Sequence, residues 1–250
     1  APDIFNIAMD VFNRDDNIAG VGGPDLTPKD NSFMQQLFGY AMGSYFAHWK
    51  MRARYSRIGK ERISDEKELL LSNMAIRTDI YLKADGFNEG MYPNEENELI
   101  NRISKMGYKF IYNPEIKIYR DRRKTIFAFA KQFYRYGQGR MNQIFIEGAL
   151  KNLHFFMPIF LTTYFLMLPF MRNFWLAFIP LLLYTFFSII DAAYISLKNK
   201  KNLVFVLPMI YAVMHISYAG GMLGVLFKKM AFRNFGIKRK NNCSIIYVKV

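Results

Sequence analysis

Apolar and polar positions follow several distinct periods along this chain, and each period predicts an element. Residues 3–13 place Ile4, Phe5, Ile7, Ala8, Val11 and Phe12 at helical spacing. Residues 18–24 form a short apolar run entering a Gly-Gly-Pro turn, which reads as a buried strand. A long amphipathic helix is predicted over residues 32–55, carrying Phe33, Leu37, Tyr40, Ala41, Tyr45 and Trp49. Two short apolar runs occupy residues 69–76, and residues 77–83 read as a helical turn ending near Gly86. The clearest helix follows Pro93. Asn94 stands at the N-cap, and Glu95, Glu96 and Glu98 fill the first turn, where the helix dipole favours carboxylates. Leu99, Ile100, Ile103 and Met106 form its apolar stripe, and Gly107 fits the position after its last turn. Strands are predicted at residues 108–112 and 116–119, then a helix from about Thr125 to Glu147. Helices alternating with short strands indicate an α/β domain.

Beyond residue 150 the pattern changes to long apolar runs. Leu153–Met171, Phe174–Leu197 and Leu203–Phe227 are each long enough to cross a hydrocarbon core, which takes about 20 residues. Asp191 is their only acid. The predicted domains are therefore 1–124 as an α/β unit, 125–150 as an amphipathic interfacial helix, and 151–250 as a membrane domain with a basic tail. With residues 1–150 in the cytoplasm, two crossings return the chain at Lys198-Asn199-Lys200-Lys201, as the positive-inside rule asks. A full third crossing would put Lys228, Lys229, Arg233, Lys238, Arg239 and Lys240 outside, against that rule. The third run is accordingly expected to re-enter at Gly220-Gly221 or to lie at the interface.

Composition sharpens this division. The chain of 250 residues is 52% hydrophobic and carries a net charge of +14. Such apolar content excludes disorder, and the lone Cys243 excludes a disulfide-stapled module. Residues 1–150 hold 22 Lys and Arg against 19 Asp and Glu, a net +3. Residues 151–250 hold 12 against 1, a net +11 that flanks the apolar runs. No continuous basic face marks the polar half, so a nucleic-acid partner is not expected.

Candidate chemistry is sparse. His48, His154 and His215 are far apart, and no Asp-x-Asp occurs, so no metal site is predicted. Gly20-x-Gly22-Gly23 lacks the spacing of a P-loop or dinucleotide fingerprint. Glu95 and Glu96 either cap their helix or present an ionised carboxylate to a cleft, where it can take a proton from a hydroxyl. Gln132, Arg135, Tyr136 and Arg140, at i, i+3, i+4 and i+8, are expected on one helical face. That face suits either phosphate recognition or contact with anionic lipid heads.

At these residues the sequence resembles membrane-anchored family 2 glycosyltransferases, the inverting GT-A enzymes that build exopolysaccharides and cell-surface glycans. The resemblance rests on an ordered set: residues 22–28 (GGPDLTP), 72–77 (SNMAIR), 86–88 (GFN), 92–99 (YPNEENEL) with Arg102, 107–109 (GYK) and 132–140 (QFYRYGQGR). It implies the C-terminal, acceptor portion of a GT-A-like domain followed by an α-helical membrane domain of about three hydrophobic segments. Glu96 matches the second position of the family's Glu-Asp motif and is thereby the implied catalytic base, with Glu95 as companion. Gln132, Arg135 and Tyr136 match a Gln-x-x-Arg-Trp-like motif that lines the acceptor and diphosphate region. Gly22, Gly23 and Asp25 are implied beneath the acceptor cleft. The family also implies a nucleotide-sugar donor, a lipid-linked or glycan acceptor, the cytoplasmic membrane, and Mg²⁺ or Mn²⁺ held upstream of Ala1 in a donor-binding half absent from this sequence. A processive synthase and a non-catalytic membrane subunit of degenerate fold are the alternatives.

Overall fold

The computed structural model describes residues 3–92, 94–147 and 153–231. Cys243 and the basic residues Arg233, Lys238, Arg239 and Lys240 lie outside them, as do Pro93 and Lys151.

The sheet is built from the short apolar runs. Helix α1 (Ile4–Phe12) leads into β1 (Ile18–Gly22) and β2 (Asp25–Leu26). After the helical region that follows come β3 (Arg62–Ser64), β4 (Met74–Ile76), α4 (Thr78–Lys83), α5 (Glu95–Lys105), β5 (Lys109–Tyr112) and β6 (Ile118–Tyr119). Four strands form a mixed sheet in the order β3-β5-β1-β4, with β1 and β5 parallel and the outer pairs antiparallel. β2 and β6 pair separately, in parallel. Ala8 and Val11 of α1 pack with Ile18, Val21 and Ile111 in one cluster. Ile80, Leu99, Ile100 and Ile103 pack with Ala19, Phe110 and Tyr112 in another. The β1–β5 register shifts between Ile18 and Gly20, which lets Ala19 and Gly20 both meet the Phe110 side of the sheet.

Helix α2 (Phe33–Met42) opens with a capping box in which the Ser32 hydroxyl receives the Gln35 N–H. The helix predicted over 32–55 does not run on. It stops at Gly43, and Ser44 caps a new short helix, α3 (Tyr45–His48), by accepting from Ala47 N at 2.9 Å. A 3-10 turn then occupies Trp49–Arg54. A Cβ on residue 43 would meet the Ser56 hydroxyl at 2.2 Å, so the break is a close approach as well as a cap. Two smaller corrections concern α5 and β6. Met106 is 40% exposed and lies outside the buried stripe, and β6 is only two residues long, with Ile116 in the α1 cluster.

Helix α6 (Ile126–Glu147) and the apolar helices form one body with this sheet domain. The first apolar run gives only α7 (Met157–Met167), prolonged by a 3-10 turn to Met171. The other two give α8 (Ile179–Asn199) and α9 (Val206–Ala231), which reach spanning length as Trp175–Asn199, counting the 3-10 turn before α8, and as Val206–Met230 within α9. Among the described residues two helices, not three, are long and apolar enough to cross a membrane. The most apolar stretch of α8 is 17% buried within the protein, whereas that of α9 is 39% buried. α9 is also continuous through Gly220 and Gly221, so the chain does not turn back there as the re-entrant expectation required. Gly221 serves packing. Gly221 abuts the Tyr134 carbonyl of α6, and Gly137 of α6 abuts the Tyr218 carbonyl of α9, bringing two backbones into contact.

Candidate active site

The N-terminus of α5 is held by a buried amide network. Asn94 occupies the N-cap position without capping its own helix. Its carboxamide instead accepts from Asn97 Nδ2 and donates to Gln143 of α6. Arg54, at the end of the 3-10 turn, donates from Nη2 to Asn97 Oδ1 at 2.5 Å and to the Glu66 carbonyl. The first turn of α5 is thus fixed between the 3-10 turn and α6. The next side chains in that turn, Glu95 and Glu96, are half-buried. Burial pushes the Glu96 carboxyl above the ordinary glutamate range, with the Arg54 charge opposing and Glu95 adding to the rise. Glu95 Oε2 is buried without a hydrogen-bond partner among the described residues.

The face expected on α6 is divided by the structure. At about 100° per residue, Arg135 and Arg140 stand roughly 140° apart around the helix. Arg135 is exposed, while Arg140 is 4% exposed and faces inward. Its guanidinium donates to Gln143 Oε1 at 2.8 Å, lies 3.7 Å from Glu66 Oε1 and sits 4.1 Å above the Phe155 ring. Glu66 is buried too, and desolvation raises its pKa although Arg140 opposes the shift. Gln132 and Tyr136 do stay together. Gln132 donates to the Tyr136 hydroxyl at 2.7 Å and accepts from Arg123 Nε at 3.0 Å.

The β1–β2 corner is tightly packed. A Cβ on Gly23 would fall 2.0 Å from the Ile116 carbonyl, and one on Gly22 2.5 Å from that of Asn73. Both glycines are therefore required by neighbouring backbone. Asn73 ties the corner by donating to the carbonyls of Pro24 and Ile116. Asp25 is 1% exposed, with Arg122 Nη1 3.7 Å and Arg120 Nη1 3.9 Å from its oxygens and the Ser72 hydroxyl at 3.4 Å. Desolvation raises its pKa, the two arginines opposing. Arg122 in turn covers the Tyr55 ring at 5.1 Å. Burial drives the Tyr55 phenol well above its usual range, so it stays protonated. His48 stacks on Tyr55 and is pushed down to about 4 by desolvation, hence neutral at physiological pH.

Arg54, Glu66, Asn97, Gln143, Arg122 and Arg123 were not among the residues singled out by sequence. Glu66 and Arg140 are 74 positions apart, and no local pattern pairs them.

A half-buried carboxylate under the influence of a buried arginine suits proton abstraction from a hydroxyl, the task of a group-transfer enzyme. The chain belongs to glycosyl transferase family group 2, whose pattern matches residues 1–223. That span takes in the sheet, α6 and much of the apolar region, and family membership supports glycosyl transfer in general. It implies a nucleotide-sugar donor and an acceptor. No curated protein matches the chain.

Enzymes of this family generally use a divalent metal. Among the described residues no group of three or more His, Cys, Asp or Glu side chains could hold one. Asp25, the most buried carboxylate near the site, has two arginines beside it, a cationic setting that repels a metal ion. The residues present do not fit the ion, and the chemistry below is that of the chain's own side chains.

Proposed function

We propose that this chain is a membrane-bound inverting glycosyltransferase, moving a sugar from a nucleotide-sugar to a hydroxyl of a lipid-linked or polysaccharide acceptor. The observation that carries this reading is the setting of Glu96. It is fixed at the start of α5 by the Asn94–Asn97–Gln143–Arg54 network and stays partly open. Glu96 takes the proton of the acceptor hydroxyl, whose oxygen attacks the anomeric carbon from the face opposite the leaving group. The bond from that carbon to the diphosphate oxygen breaks, and the nucleoside diphosphate departs with the electron pair. The raised Glu96 pKa makes it a stronger base than a free glutamate. Arg135, exposed on α6, and Gln132, placed beside Arg123 and Tyr136, offer donors to the diphosphate oxygens. The test is sugar transfer from UDP- and GDP-sugars by membranes containing the protein. Glu96→Gln is expected to lower kcat by about 10²-fold or more. Transfer at near wild-type rate would remove Glu96 as base.

For the membrane we propose that the α7–α8 pair enters the bilayer from the cytoplasmic face while α9 lies along the surface beside α6. The outward sides of α8 are almost wholly apolar, with Leu182, Leu183, Phe186, Phe187 and Ile190 exposed. α9 instead shares a core with Leu37, Phe38, Phe129 and Phe133 of the polar half. In this arrangement the basic C-terminal tail stays on the cytoplasmic side, as the positive-inside rule asks.

A further inference from the structure

A lone acid in an apolar helix calls for a partner. Asp191 finds it in the sheet domain. Its Oδ1 accepts from the backbone N–H groups of Tyr45 at 3.2 Å and Phe46 at 3.4 Å, the first residues of α3. Its Oδ2 accepts from the Tyr211 hydroxyl of α9 at 2.6 Å. One turn further along α9, His215 Nε2 lies 3.2 Å from the Ala47 carbonyl, and its Nδ1 lies 3.1 Å from the Tyr184 hydroxyl. The Phe46 ring packs edge-on against Tyr184 with centroids 5.0 Å apart. α3 is therefore fastened midway along α8. Near the C-terminal end of that helix, Lys201 reaches Gln36 of α2. Between Lys201 and Asp191, about 15 Å of helix, α8 runs beside the sheet domain. The exposed apolar side of α8 runs from Ile179 to Ile190 with Thr185 within it, and continues past Asp191 at Tyr194 and Leu197 before the basic end of the helix. α3 is thus fastened at a level toward the basic end of that apolar surface.

What α3 leads into fits this level. Trp49 is 67% exposed and has a φ of 45°, a conformation costing a bulky residue roughly 1–3 kcal/mol. Tyr45 is 55% exposed, and the Arg52 guanidinium lies 3.1 Å above its ring. Lys50 is exposed beside them. Trp and Tyr with amphipathic cations next to an apolar helix is the composition of a headgroup layer. We propose that residues 45–52 form a foot on which the catalytic domain sits on anionic phospholipid. Trp49 lies in the interfacial layer, and Lys50 and Arg52 face the lipid phosphates. This rests on reading α8 as membrane-embedded and goes beyond glycosyl transfer itself.

The chain contains two tryptophans, Trp49 and Trp175, which makes the test direct. The full chain carrying Trp175→Phe is placed in vesicles of phosphatidylcholine and phosphatidylglycerol whose acyl chains are brominated either near the headgroup or near the chain end. Trp49 emission is expected to fall by roughly half with the shallow label, with little loss to the deep label or to aqueous iodide. Strong iodide quenching without lipid quenching would overturn the proposal. So would protection from both, which would mean that a protein surface covers the foot. The companion Trp49→Phe chain reports Trp175 at the far end of α8. Lipid quenching of Trp175 but not Trp49 sinks the foot alone, whereas neither being quenched sinks the membrane reading with it. Lys50→Gln with Arg52→Gln, in the Trp175→Phe chain, is expected to weaken shallow quenching in the anionic vesicles and leave it unchanged in pure phosphatidylcholine. Unchanged quenching in both would overturn the phosphate assignment.

Discussion

The contact between α6 and α9 supplies a prediction whose size follows from two glycines. An alanine Cβ at position 221 would lie 1.9 Å from the Tyr134 carbonyl oxygen, and one at 137 would lie 2.0 Å from that of Tyr218. An ordinary contact lies at roughly 3.5 Å, so Gly221→Ala forces the helices apart by about 1.5 Å. Overpacking of this kind costs about 1–3 kcal/mol, and a backbone oxygen cannot swing aside, which places the cost near the upper end. Alanine returns about 1 kcal/mol of helix propensity. The net loss is about 2 kcal/mol, or roughly 4–8 °C in Tm for a chain of this length. Gly220→Ala is the internal control. Its Cβ would meet nothing closer than the Tyr134 ring at 3.7 Å, so only the propensity gain remains and Tm is expected to rise by about 2–4 °C. Gly137→Ala with Gly221→Ala is expected to cost less than the sum, because one separation relieves both clashes. Thermal unfolding of purified protein in one detergent, followed by intrinsic fluorescence, reads all four. The packing argument is refuted if Gly221→Ala melts at or above wild type, or if Gly220→Ala falls with it.

Three further outcomes are expected. Arg140→Met strands Glu66 in a buried site and should cost about 3–5 kcal/mol, while Glu66→Met with Arg140→Met should recover most of that loss in the same assay. The kcat/KM profile should lose activity on the acid side above the ordinary glutamate range, because Glu96 holds its proton to higher pH than a free side chain. Removing the opposing charge by Arg54→Gln should move that limb to still higher pH, and a limb moving down would contradict the assignment. Finally, Cys243 is the only thiol, so a membrane-impermeant maleimide should label it in inverted vesicles and not in sealed right-side-out cells if the tail is cytoplasmic.

The elements most legible in sequence were those whose cause is local. α5 was readable because its acids, apolar stripe and terminal glycine all lie within a few turns, and it forms at Glu95–Lys105. The break after α2 was missed because Gly43 is set by Ser56, a partner outside the helical pattern. Arg140 was placed on that face through Gln132, eight residues before it, but eight residues return only to within about 80° and Arg140 falls inside the buried stripe. The three apolar runs looked alike by composition. They differ in what they touch, since α9 packs on the sheet domain and α8 largely does not. Arg54, reaching from the 3-10 turn to Asn97 across 43 positions, needed the fold itself.

The sharp change in composition at residue 150 invites cutting the chain there to obtain a tractable catalytic fragment. The cluster joining Leu37, Phe38, Tyr55, Phe129 and Phe133 to Leu203, Leu207, Ile210, Tyr211 and Met214 argues against doing so. Seven of its fifteen buried residues come from beyond the cut, and Tyr55 within it lies 5.1 Å beneath Arg122. A fragment ending at residue 150 would carry Glu95 and Glu96 yet expose the greasy underside of the platform that holds them. Compositional boundaries and folding boundaries are different lines in this protein, and the smallest piece that keeps the site intact includes α9.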